Sequence, residues 1–284
     1  MEPTKKTIPQ FTAMKQSGEK IAILTAYDYT SALLVEQAGM DMILVGDSLG
    51  MVVLGYEDTV PVTMEEMLHH TKAVRRGARK VFLVTDMPFM SYNVNIPDAI
   101  NNAGRFLKEA HADAVKLEGG EIMADTIAAL VRSGIPVMGH IGLTPQTANQ
   151  LGGFKVQGRD QAAAERLLRD AKALEAAGVF SIVLEAIPQQ LAAYITQEIS
   201  VPTIGIGAGV NCDGQVLVFH DLLGIFQRFV PKFVKQYANL APLIIKACQS
   251  YREEVKQSAF PEAKYSFAID AEQLAHLYGG NSNT

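Results

Sequence analysis

The sequence contains 284 residues, of which 48% are hydrophobic and 19% charged, which is enough apolar material for one large core in one or two domains. Its 30 acidic residues outnumber its 25 basic ones and give a formal net charge of −5 at pH 7. Because no basic stretch is longer than Arg75-Arg76, neither nucleic acid nor an anionic membrane is expected as a partner.

Eight short apolar runs follow one another along the chain, each long enough for one buried strand. They are rich in Val, Ile and Leu with little alternation, which is typical of parallel strands covered on both faces. The predicted strands are residues 21–26, 42–46, 81–85, 114–117, 136–139, 181–184, 203–205 and 215–219. Helical patterns lie between them at residues 31–38, 64–76, 98–110, 123–133, 161–177 and 189–199.

The residues at the predicted helix ends agree with these patterns. Thr63 and Glu66 have the spacing of a capping box at the start of the second helix. Four glycines stand just beyond helix ends, where a left-handed residue is favoured: Gly39, Gly77, Gly134 and Gly178. The repeated order of helix, glycine and strand predicts an α/β fold, a single-domain (β/α)8 TIM barrel over residues 1–284, with a doubly wound sheet as the alternative.

Three segments depart from the barrel repeat. Residues 142–159 form a long polar stretch, and loops of that length are usually functional or mobile. After Asp221 an extra C-terminal segment exceeds the eight repeats, and its apolar helix near residues 240–255 is expected to cover the barrel exterior or to form an oligomer contact. Residues 279–284, GGNSNT, are predicted to be a disordered tail.

Four of the apolar runs end in an acidic residue at the same structural point. These residues are Asp47, Asp86, Glu118 and Glu185. Because the C-terminal ends of barrel strands converge on one face, where catalytic groups sit, the four carboxylates are expected to share one cleft. Their mutual repulsion there requires a cation, a proton on one of them, or both. The pattern therefore predicts a metal-assisted enzyme.

Asp47, Asp86 and Glu118 favour Mg²⁺, which takes hard oxygen ligands and keeps waters that a substrate can displace. Any single strand-end Asp has an alternative interpretation as the N-cap of the following helix. Zinc is disfavoured because none of the six histidines shows ligand spacing. His140 ends the fifth predicted strand and is a candidate for the lining of the cleft.

Lys116 and Glu118 are two residues apart on one strand, so their side chains point to the same side. Three interpretations of Lys116 are open: it binds a substrate carboxylate, forms a Schiff base, or pairs with Glu118. The nearby acids argue against the Schiff base, because they hold the ammonium charged. Glu185 ends an almost wholly apolar strand, where desolvation makes it a candidate general base. The alternative for Glu185 is a charge paired with a neighbouring Arg or Lys.

The two cysteines, Cys212 and Cys248, form no CxxC motif and predict no disulfide framework, which fits a reducing compartment. The N-terminal MEPTKKTIPQF has no apolar core of a signal peptide. No run reaches the roughly 18 apolar residues of a membrane span. The sequence therefore predicts a cytoplasmic protein.

Longer blocks of the sequence are more specific than these single residues. They include VGDSLGMVVLGYEDTVPVTMEEM, TDMPFMSY, VKLEGG, PVMGHIGLTPQ, VLEAIP, PTIGIGAG and CDGQVLVFHDLLG, within roughly residues 7–240. They closely resemble the ketopantoate hydroxymethyltransferase family, which is similar to the phosphoenolpyruvate-utilising barrels. The catalytic positions show no departure from the family pattern.

The resemblance implies transfer of a hydroxymethyl group from 5,10-methylenetetrahydrofolate to 3-methyl-2-oxobutanoate, giving 2-dehydropantoate through a Mg²⁺-stabilised enolate in pantothenate synthesis. Asp47 and Asp86 would hold one Mg²⁺ per subunit, with Glu118 as a further ligand, directly or through water. Glu185 would be the catalytic proton acceptor. The residues that bind the keto acid would be Asp47, Ser48, Asp86 and Lys116. The family also implies a homo-oligomer, typically a decamer.

No motif marks the folate-binding residues, and residues 142–159 are expected to form part of that wall. One rival function is a Mg²⁺-dependent 2-oxo-acid carbon–carbon lyase or mutase of the isocitrate-lyase type, whose usual catalytic-cysteine motif is not found. Another is a catalytically silent metabolite-binding barrel. That rival predicts loss of a metal carboxylate or of Glu185, and all of these residues are present.

Overall fold

The computed structural model describes residues 5–150 and 152–278. Its centre is a closed barrel of eight parallel strands in sequence order, in which β1 pairs with β8 to close the ring. The strands are β1 (Ile21–Thr25), β2 (Met42–Val45), β3 (Phe82–Asp86), β4 (Ala114–Glu118), β5 (Val137–Gly142), β6 (Ser181–Glu185), β7 (Thr203–Ile206) and β8 (Gly214–Leu217). The predicted TIM barrel is confirmed, and the doubly wound alternative is wrong.

Strands β3, β4, β6 and β7 each end one residue later than the sequence pattern indicated, and β5 ends three residues later. Asp86, Glu118 and Glu185 are therefore the last residues of β3, β4 and β6 and not the first residues of loops. The register places Asp86 beside Lys116, and Glu118 beside His140. Strand pairing itself thus brings these charged side chains together at the C-terminal edge of the barrel.

The described helices include all six that were predicted between the strands, together with others that were not predicted there. They are α1 (Ile8–Ser17), α2 (Tyr29–Gln37), α3 (Leu49–Val52), α4 (Met64–Gly77), α5 (Ile96–Ala110), α6 (Ala124–Arg132), α7 (Gln161–Ala177), α8 (Gln189–Glu198), α9 (Phe219–Leu222), α10 (Ala241–Lys256) and α11 (Ala271–Tyr278). The capping box of α4 is confirmed: Glu66 N–H donates to Thr63 Oγ1 at 3.2 Å, and Thr63 N–H donates to the Glu66 carboxylate at 2.8 Å.

The prediction for the glycines at helix ends is confirmed at three positions and wrong at one. Gly39, Gly134 and Gly178 have φ values of 77°, 82° and 94°, in the left-handed region. Gly77 instead remains within α4 as its last residue. A Cβ at this position would collide with the backbone carbonyl of Tyr29 in α2. Gly77 is therefore required for the close approach of two helices and not for a turn.

The N-terminal end of the barrel is closed by apolar side chains. Phe11 and Met14 of α1 belong to the same buried cluster as Ile21 and Phe82, the first residues of β1 and β3. The rings of Phe11 and Phe82 meet edge to face with their centroids 5.3 Å apart. Because this end is filled, a substrate can enter only at the opposite end, where the strand-end carboxylates lie.

The chain forms two compact units, Met1–Tyr237 with the barrel and Ala238–Thr284. The second contains α10, which confirms the predicted C-terminal helix. Its Phe260 ring meets that of Tyr251 edge to face and that of Tyr265 at a tilt, with centroids 5.5 and 5.9 Å apart. The single-domain interpretation and the covering role of this segment stay predictions. The predicted tail at residues 279–284 lies outside the described residues.

Both cysteines are free thiols, Cys212 buried and Cys248 exposed. Within residues 5–150 and 152–278, no helix is long and apolar enough to cross a membrane.

Gly77→Ala should destabilise the barrel, because the added methyl group pushes α4 away from α2. Overpacking of this kind costs about 1–3 kcal/mol in the free energy of unfolding. Gly104→Ala is the matched control, because a Cβ there has no atom within 4 Å and the residue lies inside α5. The control should gain about 0.4–1 kcal/mol. Urea and thermal denaturation measure both variants, and equal shifts in the same direction would contradict the packing argument.

Candidate active site

The predicted site residues converge on one cavity of about 620 Å³ at the C-terminal end of the barrel. They come from five consecutive strand ends, β2 to β6. The residues concerned are Asp47, Ser48, Asp86, Lys116, Glu118, His140 and Glu185. The structure thus brings together every side chain that the sequence singled out for the site.

Asp47 and Asp86 lie next to each other with very little exposure, 4% and 3%. The backbone N–H of Asp47 donates to Asp86 Oδ2 at 3.0 Å. Gly46 makes this turn possible, because a Cβ there would stand 2.7 Å from Ser48 Oγ. The Ser48 hydroxyl shares a 2.8 Å hydrogen bond with the Tyr27 hydroxyl. The turn after β2 therefore fixes Asp47 and Ser48 against the end of β3.

The cation nearest to this pair is Lys116. Its Nζ lies 3.0 Å from Asp86 Oδ1 and 3.3 Å from His140 Nδ1. The alternative of a salt bridge with Glu118 is wrong, because the register puts Asp86 directly beside Lys116. Burial by itself would lower the pKa of Lys116, but the carboxylates of Asp86, Glu118 and Asp47 raise it above its ordinary value. The side chain is thus a buried ammonium.

His140 stands between two carboxylates. Its Nδ1 lies 3.5 Å from Glu118 Oε1, and its Nε2 lies 3.1 Å from Glu185 Oε2. Burial and the nearby Lys116 lower the pKa of His140, but the two carboxylates outweigh them and raise it to about 9. The Nε2 contact is an ion-pair distance without hydrogen-bond alignment. The charged partner of Glu185 is therefore a histidine and not the Arg or Lys considered from the sequence.

Gln146 is a buried residue of the site that the sequence analysis missed. Its Nε2 donates to Asp47 Oδ2 at 2.7 Å and to the Met87 carbonyl at 3.0 Å. Its backbone N–H donates to Glu118 Oε2 at 3.0 Å, and its Oε1 accepts from the Tyr92 hydroxyl at 2.6 Å. Gln146 thus holds two of the carboxylates in place, Asp47 through its side-chain amide and Glu118 through its backbone N–H. Its position in the polar 142–159 loop, within LTPQT, was the available signal.

The electrostatics of the carboxylates test whether a cation fits here. Burial, followed by repulsion from Asp86 and Glu118, raises the pKa of Asp47 well above its ordinary range. Asp86 Oδ1 is buried with no aligned hydrogen-bond donor. Both facts favour an added cation. The oxygens of Glu118, by contrast, already face Gln146 and His140.

The donor set therefore amounts to two carboxylates, with the remaining positions left for water and substrate, which suits Mg²⁺. Across the described ranges, no group of three or more His, Cys, Asp or Glu side chains forms a metal-binding cluster on its own. The predicted role of Glu118 as a further ligand, directly or through water, stays a prediction.

The outer part of the cavity differs in character from its floor. Its walls are largely apolar and come from the loop after β5 and from the segment after β8. Pro145, Phe154, Lys155 and Val156 of the first segment line it, which places part of the 142–159 loop at the cavity as expected. In the segment after β8, the sequence analysis had marked only the start, within the block CDGQVLVFHDLLG, and no role for its residues.

A closed (β/α)8 barrel with carboxylates, a lysine and a histidine at its C-terminal end defines a TIM-barrel enzyme. A family model described as ketopantoate hydroxymethyltransferase matches residues 5–263. The 3-methyl-2-oxobutanoate hydroxymethyltransferase of Carboxydothermus hydrogenoformans is 61% identical over 272 residues, which cover 96% of this chain and 99% of that one. The Moorella thermoacetica protein of the same name is 62% identical over 261 residues, covering 92% and 97%. The chain belongs to the ketopantoate hydroxymethyltransferase family.

Solved structures with the same barrel are much more distant in sequence. A phosphonopyruvate hydrolase, solved with oxalate and Mg²⁺, has a TM-score of 0.59 at 14% identity and covers 97% of this chain and 96% of its own. A 2,3-dimethylmalate lyase of the phosphoenolpyruvate mutase and isocitrate lyase superfamily has a TM-score of 0.57 at 15% identity, covering 96% and 95%. These likenesses show a shared fold.

Gln146→Met should weaken Mg²⁺-dependent binding of 3-methyl-2-oxobutanoate by roughly 10- to 100-fold, because the residues that orient metal-binding carboxylates typically have effects of this size. Methionine keeps the length of the side chain but cannot donate to Asp47. Gln150→Met is the control, since Gln150 is an exposed residue of the same loop. Calorimetry with Mg²⁺ measures both variants. Unchanged affinity in Gln146→Met, with the fold intact, would show that this amide does not orient the site.

Proposed function

We propose that this chain transfers a hydroxymethyl group from 5,10-methylenetetrahydrofolate to 3-methyl-2-oxobutanoate and releases 2-dehydropantoate, a step of pantothenate synthesis. Its family supports this reaction, and relatives at 61% and 62% identity carry the matching name. The observation in the structure that carries the proposal is one cavity with a paired carboxylate floor, a buried ammonium and a separate glutamate. These groups suit the binding and deprotonation of a 2-oxo acid.

The floor of the cavity binds the keto acid in this proposal. The Lys116 ammonium and the Ser48 hydroxyl hold its carboxylate, and Asp47 and Asp86 hold one Mg²⁺. Glu118, whose oxygens already have partners, acts on the cation through water. The bound Mg²⁺ would polarise the 2-oxo group and stabilise negative charge that develops there.

Glu185 removes the proton from C3 of the keto acid. Its side chain is 14% exposed at the cavity, and His140 at 3.1 Å orients it. The C3 proton passes to the Glu185 carboxylate, and the resulting enolate carbon attacks the methylene group of the folate. A new carbon–carbon bond forms, the two bonds from the methylene carbon to N5 and N10 of the folate break, and water supplies the hydroxyl oxygen. The proton taken up by Glu185 and one proton of the water end on the two folate nitrogens, so tetrahydrofolate leaves and Glu185 is again a carboxylate.

The rival functions are not favoured. A lyase or mutase of the isocitrate-lyase type shares the barrel with this chain, but at 10–17% identity that likeness concerns the fold alone. A catalytically silent barrel has no reason to keep Lys116, Glu185 and the carboxylate pair in one cavity. The homo-oligomeric, decameric assembly, which rests on the sequence resemblance, and the cytoplasmic location, which rests on the cysteines and the N-terminal sequence, remain part of the proposal.

Exchange at C3 tests the proposed function and the role of Glu185 together. The wild-type protein with Mg²⁺ and 3-methyl-2-oxobutanoate should exchange the C3 proton in D2O without any folate, as followed by proton NMR. Glu185→Gln should lose exchange and hydroxymethyl transfer together, by about 10²–10⁴-fold, because both need the same proton acceptor.

Glu198→Gln is the control, since Glu198 pairs with Lys172 on the surface. It should keep both activities. Absence of exchange in the wild-type protein would contradict the proposed function. Wild-type exchange in Glu185→Gln would assign the proton to another group.

Lys116 should act as a fixed charge and not as a Schiff-base amine, because the surrounding carboxylates keep it protonated. Borohydride treatment in the presence of the keto acid should leave the mass of the protein unchanged. Peptide mapping by mass spectrometry is the measurement. A reduced adduct on Lys116 would overturn the charge-based role.

A further inference from the structure

Asp221 is a buried carboxylate that the proposed chemistry does not use. It lies in α9, directly after β8, lines the cavity and is 7% exposed. Its Oδ1 is buried without a hydrogen-bond donor among the described residues. Burial raises the pKa of Asp221 to about 6. A buried acceptor without a donor costs free energy, so its retention calls for a ligand that supplies the donor.

Asp221 lies on a different side of the cavity from the Asp47 and Asp86 pair. Tyr27 links the two sides: its ring packs against that of His220 with centroids 5.5 Å apart, and its hydroxyl bonds Ser48 at 2.8 Å. A molecule that reaches Asp221 would therefore lie next to a keto acid held by Ser48. It would be a second substrate rather than part of the first.

The outer wall of the cavity is suited to a flat aromatic molecule. Phe226, Phe229 and Phe233 follow Asp221 in the chain, and Phe154 comes from the loop after β5. Phe229 and Phe154 are 65% and 57% exposed although both line the cavity. Exposed rings grouped at a cavity mouth indicate a binding surface, because water makes their exposure unfavourable.

Two positively charged side chains also line the cavity. Lys155 and Lys232 line the cavity in the same segments as the phenylalanines. The wall thus combines a buried carboxylate, aromatic rings and ammonium groups in one cavity. A ligand with amino donors at one end, rings in the middle and carboxylates at the other would match each part.

We propose, on the basis of the function proposed above, that this wall binds the reduced folate. Asp221 accepts hydrogen bonds from the 2-amino group and the adjacent ring N–H of the pterin. The phenylalanine rings pack on the pterin and aminobenzoyl rings, and Lys155 and Lys232 attract the glutamate carboxylates. The methylene carbon then faces the keto acid on the cavity floor.

Asp221→Asn tests the pterin contact, because the amide keeps the size of the side chain but presents an NH2 group to the donors of the pterin. The concentration of 5,10-methylenetetrahydrofolate for half-maximal transfer should rise by roughly 10- to 100-fold, the value of one hydrogen bond to a charged group. The rate of C3 proton exchange, which needs no folate, should stay within about twofold of wild type. A twofold change is smaller than the loss of one hydrogen bond to a charged group would cause. Asp125→Asn, at an exposed position of α6, is the matched control.

Phe229→Ala is a second test of the proposal. The substitution is not at a buried position, since the ring is largely exposed. It too should raise the folate requirement and leave exchange intact. The proposal is overturned if both variants show wild-type folate dependence, or if Asp221→Asn loses C3 exchange and so belongs to the deprotonation machinery. Failure of the proposed function is a separate result, because wild-type protein would then show no exchange at all.

Discussion

The structure depends most on the crowding of carboxylates at one end of a closed parallel barrel. Asp47, Asp86 and Glu118 are all buried, and strand register leaves them no freedom to separate. Like charges in such a place are tolerated only with compensation. Lys116 and His140 supply positive charge from β4 and β5. Asp86 Oδ1 faces the Lys116 ammonium at 3.0 Å without an aligned hydrogen bond, so it keeps capacity for an added cation.

The partners of the four carboxylates also distinguish Glu185 from the other three. Glu118 is held by a backbone N–H and a histidine, and Asp47 by an amide. Glu185 sits at the edge of this cluster, more exposed than the others, with His140 as its partner. For the proton transfer proposed for Glu185, this position at the edge of the cluster gives access to the cavity.

The strands and their acidic ends could be predicted because each leaves a local pattern in the sequence. A buried parallel strand is a short apolar run, and Asp86 or Glu185 marks the point where the run meets the cavity. The pairing of Lys116 with Asp86 could not be predicted from spacing, since it depends on the register between two strands. Gly77 followed the pattern of a helix end, but the close approach of α2 is a tertiary contact that leaves no local pattern in the sequence.

Gln146 and Asp221 carried no periodic signal because each lies in a single short turn, Gln146 after β5 and Asp221 in the four-residue helix α9. What distinguishes them is hydrogen bonding in the folded protein. The side-chain oxygen, the side-chain NH2 group and the backbone N–H of Gln146 are all hydrogen-bonded, so Gln146 orients its neighbours. Asp86 and Asp221 each keep a buried oxygen without an aligned donor, at two places in one cavity. In the two proposals, the same physical cost, an acceptor removed from water, is offset by a cation at Asp86 and by the donor groups of a second substrate at Asp221.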